Sequence, residues 1–82
     1  MIEYIIKPST HKNKKYDVYK DNKYLLSFGQ LPYQHYKDLI GHYKDLDHLD
    51  KKRRDNYRAR AEGIGHLDNP NSPNFWSYWF LW

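Results

Sequence analysis

The first thirty residues of the chain alternate between apolar and polar positions in a way that predicts three β-strands. Residues 2–7 are rich in β-branched and aromatic side chains, as strands are. Residues 15–20 and 23–28 repeat this pattern on either side of Asp21 and Asn22, and two residues of this type between strands are typical of a tight hairpin turn. We therefore expect an N-terminal strand and a hairpin, joined in one antiparallel sheet.

Side chains along a strand point to opposite faces in turn, which assigns the faces of the hairpin's first arm. Tyr16 and Val18 are expected on one face, and Asp17 and Tyr19 on the other. Gly29 is expected to end the hairpin.

The middle of the chain changes from strand-like alternation to helical periodicity. Large apolar residues recur at spacings of three and four within residues 33–46, which predicts a helix there. The repeat consists of Tyr33, Tyr36, Leu39 or Ile40, and Tyr43. Gly41 weakens the centre of this segment, so either one helix or two short helices satisfy the pattern.

Residues 50–62 predict the clearest helix of the chain. Asp50 is a natural N-cap, and Gly63 stands where a C-cap glycine is expected. The periodicity places a buried stripe on Leu49, Tyr57, Ala61 and Ile64, with Arg53 between them. Because Arg53 falls on this inner stripe, we expect a structural ion pair between Arg53 and Asp50.

The last twenty residues combine a loop with the most apolar segment of the chain. Residues 63–74 are rich in Gly, Pro and Asn and predict a loop. Ser72 followed by Pro73 predicts a helix cap with proline at the first helical position. Residues 75–82, FWSYWFLW, are expected to close the core or to bury themselves against a partner.

Together these elements predict one domain over residues 1–82 with an α+β fold. A small three-stranded antiparallel sheet packs against two or three short helices, and the aromatic C-terminal residues close the core. The chain has 82 residues, of which 18% are aromatic, and these rings supply core volume that the few aliphatic residues do not.

The amino-acid composition excludes several classes of protein and of functional site. The chain contains no cysteine, which excludes disulfides, thiolate metal sites and a thiol nucleophile. We expect no signal peptide, no membrane span and no cofactor, because neither an apolar run nor a phosphate-binding glycine loop is visible. The net charge of +4 favours acidic partners, such as an anionic protein surface or nucleic acid.

A basic run on the predicted helix is the first candidate for a binding site. Lys51, Arg54 and Arg58 lie at spacings of three and four and are expected to form one outward stripe. Such a stripe suits the carboxylates of a protein partner or the phosphates of nucleic acid. A solvated helix face without a partner explains the same spacing.

The three tryptophans are the second candidate. Trp76, Trp79 and Trp82 all lie in the last seven residues, and tryptophan is a preferred anchor of protein interfaces. Closing the domain's own core is the competing interpretation, and stacking on nucleic-acid bases is a third.

Histidines and acidic residues offer no clear catalytic or metal site. His35 and His42 are seven residues apart and would share a helix face, and His48 lies between Asp47 and Asp50. None of these spacings matches a metal-binding or hydrolase motif. We therefore expect a binding protein that is not an enzyme.

The second half of the chain also resembles a known family. The run Asp47 to Arg54 is followed by Tyr57, Arg58 and Arg60, then by Ser72-Pro73, Phe75, Ser77 and Leu81-Trp82. In this order the motifs resemble a family of small uncharacterised proteins of large tailed bacteriophages and giant DNA viruses of eukaryotes. The hairpin that closes on Ser27-Phe28-Gly29 is similar too, so the resemblance covers about residues 16–82. Ala61 stands where many relatives carry histidine, which argues against a role that needs histidine there.

The resemblance implies a viral origin and a minor structural role in the virion, after a stay in the host cytoplasm before assembly. In that role many copies would bind the major capsid protein or another virion protein. A nucleic-acid-binding protein that does not read sequence is the alternative, and a viral factor that binds a host enzyme is a third hypothesis.

Overall fold

The computed structural model describes residues 2–82 and confirms the predicted α+β fold. Its regular elements are β1 (Tyr4–Pro8), β2 (Lys14–Lys20), β3 (Lys23–Gln30), α1 (Lys51–Ile64) and α2 (Pro73–Phe80), with one 3₁₀ turn at Lys44–Leu46 between β3 and α1. The two α-helices lie in the second half of the chain and the sheet lies in the first.

The sheet is antiparallel, with strand order β1-β2-β3. Asp21 and Asn22 both have positive φ, 50° and 68°, which is the geometry of a hairpin turn whose twist matches that of the strands. Tyr16 lies opposite Phe28 and Val18 lies opposite Leu26, as the predicted faces require. These four residues are the buried part of the sheet's contribution to the core, and Tyr4, Ile6 and Leu25 pack against the cluster.

Helix α2 covers this apolar face and supplies the rest of the core. The Ser72 hydroxyl accepts a hydrogen bond from the Asn74 N–H, and Pro73 stands at the first helical position, as predicted. Trp76 and Leu81 complete the buried cluster, with Trp76 stacked on Phe28 at a centroid distance of 6.2 Å. The aromatic end of the chain therefore closes the core.

Helix α1 begins where the sequence predicts but ends later. The Asp50 carboxylate accepts hydrogen bonds from the backbone N–H groups of Lys52 and Arg53 and caps the helix. The helix runs through Gly63 to Ile64, and the cap is Gly65, with φ of +89°. The prediction of Gly63 as the C-cap was wrong, because Gly63 is helical and, of the two glycines, only Gly65 has the positive φ that glycine tolerates.

The inner face of α1 also differs from the predicted one. Ala61 is buried and Tyr57 is half-buried, but Leu49 and Ile64 are exposed and Arg53 faces solvent. The face turned to the domain consists of Arg54, Tyr57, Arg58 and Ala61, which follow the spacing of three and four. Arginine stems can cover apolar surface, so a helix with few apolar residues packs through two arginines.

The helix predicted over residues 33–46 does not form. This segment is irregular apart from its short 3₁₀ turn, and the expected stripe is reversed: Tyr33 and Leu39 are exposed, whereas His35 and Asp38 are buried. The side chains of Asp38 and Asp47 accept hydrogen bonds from backbone N–H groups of this segment that a helix would have used, and such bonds compete with helix formation.

Replacing Gly29 by alanine should destabilise the domain, whereas the same change at Gly63 should stabilise it. Gly29 has φ of +73°, and a methyl group there would lie 3.0 Å from both Leu81 and Lys15. Gly63 is helical with open space around it. We expect Gly29→Ala to lower the free energy of unfolding by about 1–3 kcal/mol.

The matched variant Gly63→Ala should raise the free energy of unfolding by roughly 0.5–1 kcal/mol, because alanine loses less backbone entropy in a helix. Urea denaturation of both variants measures the difference. Equal effects of the two substitutions would contradict the assigned role of Gly29.

Candidate functional site

A chain of buried polar side chains connects the sheet to the irregular segment after it. The Lys15 ammonium lies 2.8 Å from Nδ1 of His35, and Nε2 of His35 lies 2.5 Å from the Asp47 carboxylate. Lys15 and His35 are almost fully buried. Because a buried charge is costly unless it is paired, these three residues depend on each other.

The direction of the hydrogen bonds follows from the donors present. An ammonium group can only donate, so Nδ1 of His35 must accept and Nε2 must carry the proton that it donates to Asp47. Burial and the neighbouring Lys15 charge lower the pKa of His35, which agrees with a neutral ring. Burial also lowers the pKa of Lys15 to about 8, against the opposing influence of Asp38 and Asp47.

The second buried carboxylate, that of Asp38, organises the backbone around it. It accepts the Tyr16 hydroxyl and the backbone N–H groups of Ile40, Gly41 and Tyr43. Burial alone would raise the pKa of Asp38, but these hydrogen bonds lower it overall. The Tyr16 oxygen in turn accepts the N–H of His42, and the pKa of Tyr16 is raised by burial and by Asp38.

Because the Asp38 side chain points inward, the side chains of its neighbours Lys37 and Leu39 are exposed to solvent. The backbone N–H groups of Lys37 and Leu39 bond to the carbonyl oxygens of Leu81 and Phe80, at 3.0 and 3.1 Å. The segment is thereby fixed beside the aromatic end of the chain. Leu39 remains 62% exposed as a result.

These contacts assemble a surface that combines aromatic rings with cations. We name it the arginine–aromatic surface. It surrounds a shallow depression of about 140 Å³ and consists of Tyr36, Lys37, Leu39, Arg54, Arg58, Trp79, Phe80 and Trp82.

Two guanidinium groups lie over tyrosine rings at this surface. That of Arg54 lies 4.7 Å from the centre of the Tyr36 ring, and that of Arg58 lies 5.0 Å from the Tyr78 ring. Arg58 Nε donates to the Trp82 carbonyl at 3.0 Å, whereas Arg54 Nε lies 3.6 Å from Asp55, too far for a hydrogen bond. Among the residues that the structure describes, the terminal nitrogens of both groups make no hydrogen bond and can donate to a partner.

The three predicted tryptophan anchors have different positions. Trp76 is only 4% exposed and belongs to the core, so its prediction as an anchor was wrong. Trp82 is half-buried and stacks on Tyr57 at 4.2 Å with nearly parallel rings. Trp79 is 51% exposed, and its indole N–H donates to the Leu67 carbonyl, which holds the ring in place.

The predicted basic stripe does not form as a solvent-facing row. Lys51 is exposed, but Arg54 and Arg58 turn toward the domain's own rings. The predicted ion pair of Asp50 and Arg53 is absent from residues 2–82, because the Asp50 carboxylate caps the helix and the Arg53 guanidinium donates to Gln34.

The histidines are not arranged as predicted either. His35 and His42 do not share a helix face, because no helix forms there; His35 is buried and His42 is exposed. His48 is half-buried with its Nδ1 accepting the Asp50 N–H, and burial and Arg53 lower its pKa. Within residues 2–82, no three His, Cys, Asp or Glu side chains are placed to hold a metal ion.

The burial of the polar residues Lys15, Asp17 and Asp38 was not predicted from the sequence. In β2, Lys15 and Asp17 alternate with the core residues Tyr16 and Val18, so they would be read as solvent-facing. Asp17 is instead covered by a loop, and its pKa, which burial would raise, is lowered by hydrogen bonds from Ser27, Ser9 and His11. Gly41 stands three residues after Asp38, and this spacing of Asp and Gly is typical of a turn. It was the signal in the sequence that Asp38 binds nearby backbone N–H groups.

The geometry defines a small α+β domain with a buried polar network and an exposed arginine–aromatic surface. The chain matches no family model, no curated protein and no solved structure in the comparisons made. No helix among residues 2–82 is long and apolar enough to span a bilayer.

Removing the Tyr16 hydroxyl should destabilise the domain. Tyr16→Phe leaves the Asp38 carboxylate with one donor fewer and the His42 N–H without its acceptor. We expect a loss of about 2–3 kcal/mol in the free energy of unfolding. The control is Tyr19→Phe on the same strand, for which we expect a change within about 0.5 kcal/mol. Equal losses in urea denaturation would contradict the assigned role of the Tyr16–Asp38 bond.

Lys15 should make stability rise with pH between about 8 and 10.5. The pKa of Lys15 is about 8 in the folded state and 10.5 in the unfolded chain, so the unfolded chain binds more protons in this range and stability increases with pH. We expect the free energy of unfolding of wild type, minus that of Lys15→Met, to rise by up to ~3 kcal/mol over this window.

Comparing wild type with this variant cancels tyrosine ionisation, which destabilises both proteins alike near pH 10. Denaturation at several pH values measures the difference. A difference that stays constant from pH 7 to pH 10.5 would show that Lys15 is not buried as a charge.

Proposed function

We propose that this chain is a non-catalytic virion protein that docks onto the major capsid protein or another virion protein through its arginine–aromatic surface. The observation that carries the proposal is that Leu39 and Trp79, two exposed apolar side chains, adjoin two guanidinium groups on one face. An apolar centre with aromatic and arginine residues is the composition of an interface hot spot.

The rigidity of this surface supports binding. The Trp79 ring is held by its indole hydrogen bond at 2.8 Å and by edge-on packing against Tyr78. The Leu39 backbone is fixed by its bond to Phe80. Side chains that are already ordered lose less entropy on binding, so more of the contact energy contributes to affinity.

The charges of the surface specify the chemistry of the partner. Lys37, Arg54 and Arg58 line the depression together with the rings, and no acidic side chain lines it. An acidic segment that carries one apolar side chain into the depression would complement this face. Arginine binds carboxylates through two parallel hydrogen bonds, which fixes their orientation.

A virion as the location is supported by the family resemblance of residues 16–82. The alternative function, nucleic-acid binding, predicts phosphate contacts at Lys51, Arg54 and Arg58. Arg54 and Arg58 lie against rings, and only Lys51 is exposed. A protein partner therefore accounts for more of the surface than nucleic acid does, because rings and guanidinium groups are used together.

Purified particles of the virus that encodes this chain should contain it in many copies. Trp79→Ser and Leu39→Ser should each reduce its incorporation at least tenfold, because they remove the apolar centre of the interface. Quantitative mass spectrometry of particles measures the copy number relative to the major capsid protein.

The control is Ile64→Ser, which removes a comparably exposed apolar side chain at the end of α1, outside the arginine–aromatic surface. It should be incorporated like wild type, and thermal denaturation should show that all three variants are folded. Absence of the wild-type chain from particles would overturn the virion role. Equal loss with Ile64→Ser would overturn the assigned surface.

A further inference from the structure

A second concave feature lies between the end of the sheet and the two helices. It is a cleft of about 590 Å³ whose lining comes from β2, β3, α1 and α2 and from the residues next to β3 and α2. This volume falls within the range of small-ligand sites. Trp82 is the only lining residue that it shares with the arginine–aromatic surface.

The charged side chains of this cleft all have the same sign. Lys14, Lys15 and Arg60 line it, and its lining contains no Asp or Glu. We name it the basic cleft. None of the ion pairs within residues 2–82 involves Lys14 or Arg60, so both charges are available to an anion.

A fourth cation lies at the rim of the basic cleft. Arg53 donates to the side-chain oxygen of Gln34, which lines the cleft, at 3.0 Å. Because that oxygen accepts from Arg53, the amide N–H groups of Gln34 remain as donors. A phosphate group accepts hydrogen bonds from both guanidinium and amide donors.

Lys15 gives this cleft a charge that water screens poorly. Its side chain is 2% exposed, and its ammonium is bonded to Nδ1 of His35. Burial lowers the pKa of Lys15 to about 8, so the charged form is destabilised there. An anion in the cleft would stabilise this charge, which a face made only of solvated lysines would not offer.

The cleft also contains an aromatic ring with free faces. Tyr33 lines it and is 64% exposed, although large apolar rings are usually covered. Within residues 2–82 this ring has no aromatic or cationic stacking partner. Exposed aromatic rings beside cations are the elements that proteins use to stack nucleic-acid bases next to phosphates.

We propose that the basic cleft binds a nucleoside phosphate, with the phosphate at Lys14 and Arg60 and the base on Tyr33. The ligand is either a free mononucleotide or one nucleotide of a single strand. This site uses residues other than those proposed for docking, and either proposal can fail without the other.

Titration of the ¹⁵N-labelled protein with AMP, followed by NMR, tests the site. We expect saturable shifts of residues that line the cleft, with a dissociation constant below about 1 mM. The double variant Lys14→Gln/Arg60→Gln should lower the affinity at least tenfold, because it removes both phosphate contacts. The control Lys51→Gln/Lys52→Gln removes the same charge from exposed positions of α1 outside the cleft and should change the affinity less than twofold.

Further ligands test base stacking on Tyr33 separately and distinguish a free mononucleotide from a single strand. Tyr33→Leu should weaken AMP at least threefold but leave pyrophosphate unchanged, because only AMP has a base to stack. Tighter binding of a thymidine trinucleotide than of AMP would assign the site to single strands, and equal binding would assign it to mononucleotides.

Three results would overturn the proposal. These are no saturable binding of AMP, an equal loss of affinity in the control double variant, and binding of hexaglutamate as tight as that of AMP. The last result would identify the basic cleft as a site for acidic peptides.

Discussion

The buried Asp38 carboxylate is the constraint on which the second half of this fold depends. A carboxylate inside a protein is tolerated only when donors surround it, and this one has four: the Tyr16 hydroxyl and the N–H groups of Ile40, Gly41 and Tyr43. These bonds fix residues 33–46 to the sheet, although this segment has almost no regular secondary structure of its own. The hydrogen bonds that run from Lys15 through His35 to Asp47 fix the same segment at a second place.

Arginine replaces aliphatic side chains in the packing of this small domain. Helix α1 has only Tyr57 and Ala61 as apolar residues on its inner face, and the stems of Arg54 and Arg58 cover the rest. Their guanidinium groups lie on the rings of Tyr36 and Tyr78 and end at the surface. The interactions that hold the helix in place therefore also build the cationic part of the arginine–aromatic surface.

The two candidate sites flank Trp82 and combine the same residue types differently. In the arginine–aromatic surface the guanidinium groups lie on rings, and the apolar side chains of Leu39 and Trp79 project outward, which suits a protein partner. In the basic cleft Lys14 and Arg60 take part in none of the ion pairs within residues 2–82, and they line a concave space of small-ligand size. The stack of Trp82 on Tyr57 forms part of the wall of the cleft.

Local patterns determined the sheet, the hairpin turn at Asp21 and Asn22, the Asp50 cap of α1 and the Ser72-Pro73 start of α2. Each depends on backbone preferences of adjacent residues, which the sequence displays directly. Only the tertiary structure decided that residues 33–46 are irregular, that Arg54 and Arg58 face inward, and that Trp76 is buried while Trp79 is exposed. Those outcomes depend on partners distant along the chain, such as Tyr16 for Asp38 and Trp82 for Arg58. Periodicity within one segment contains no information about such partners, because it describes which residues share a face and not what that face meets.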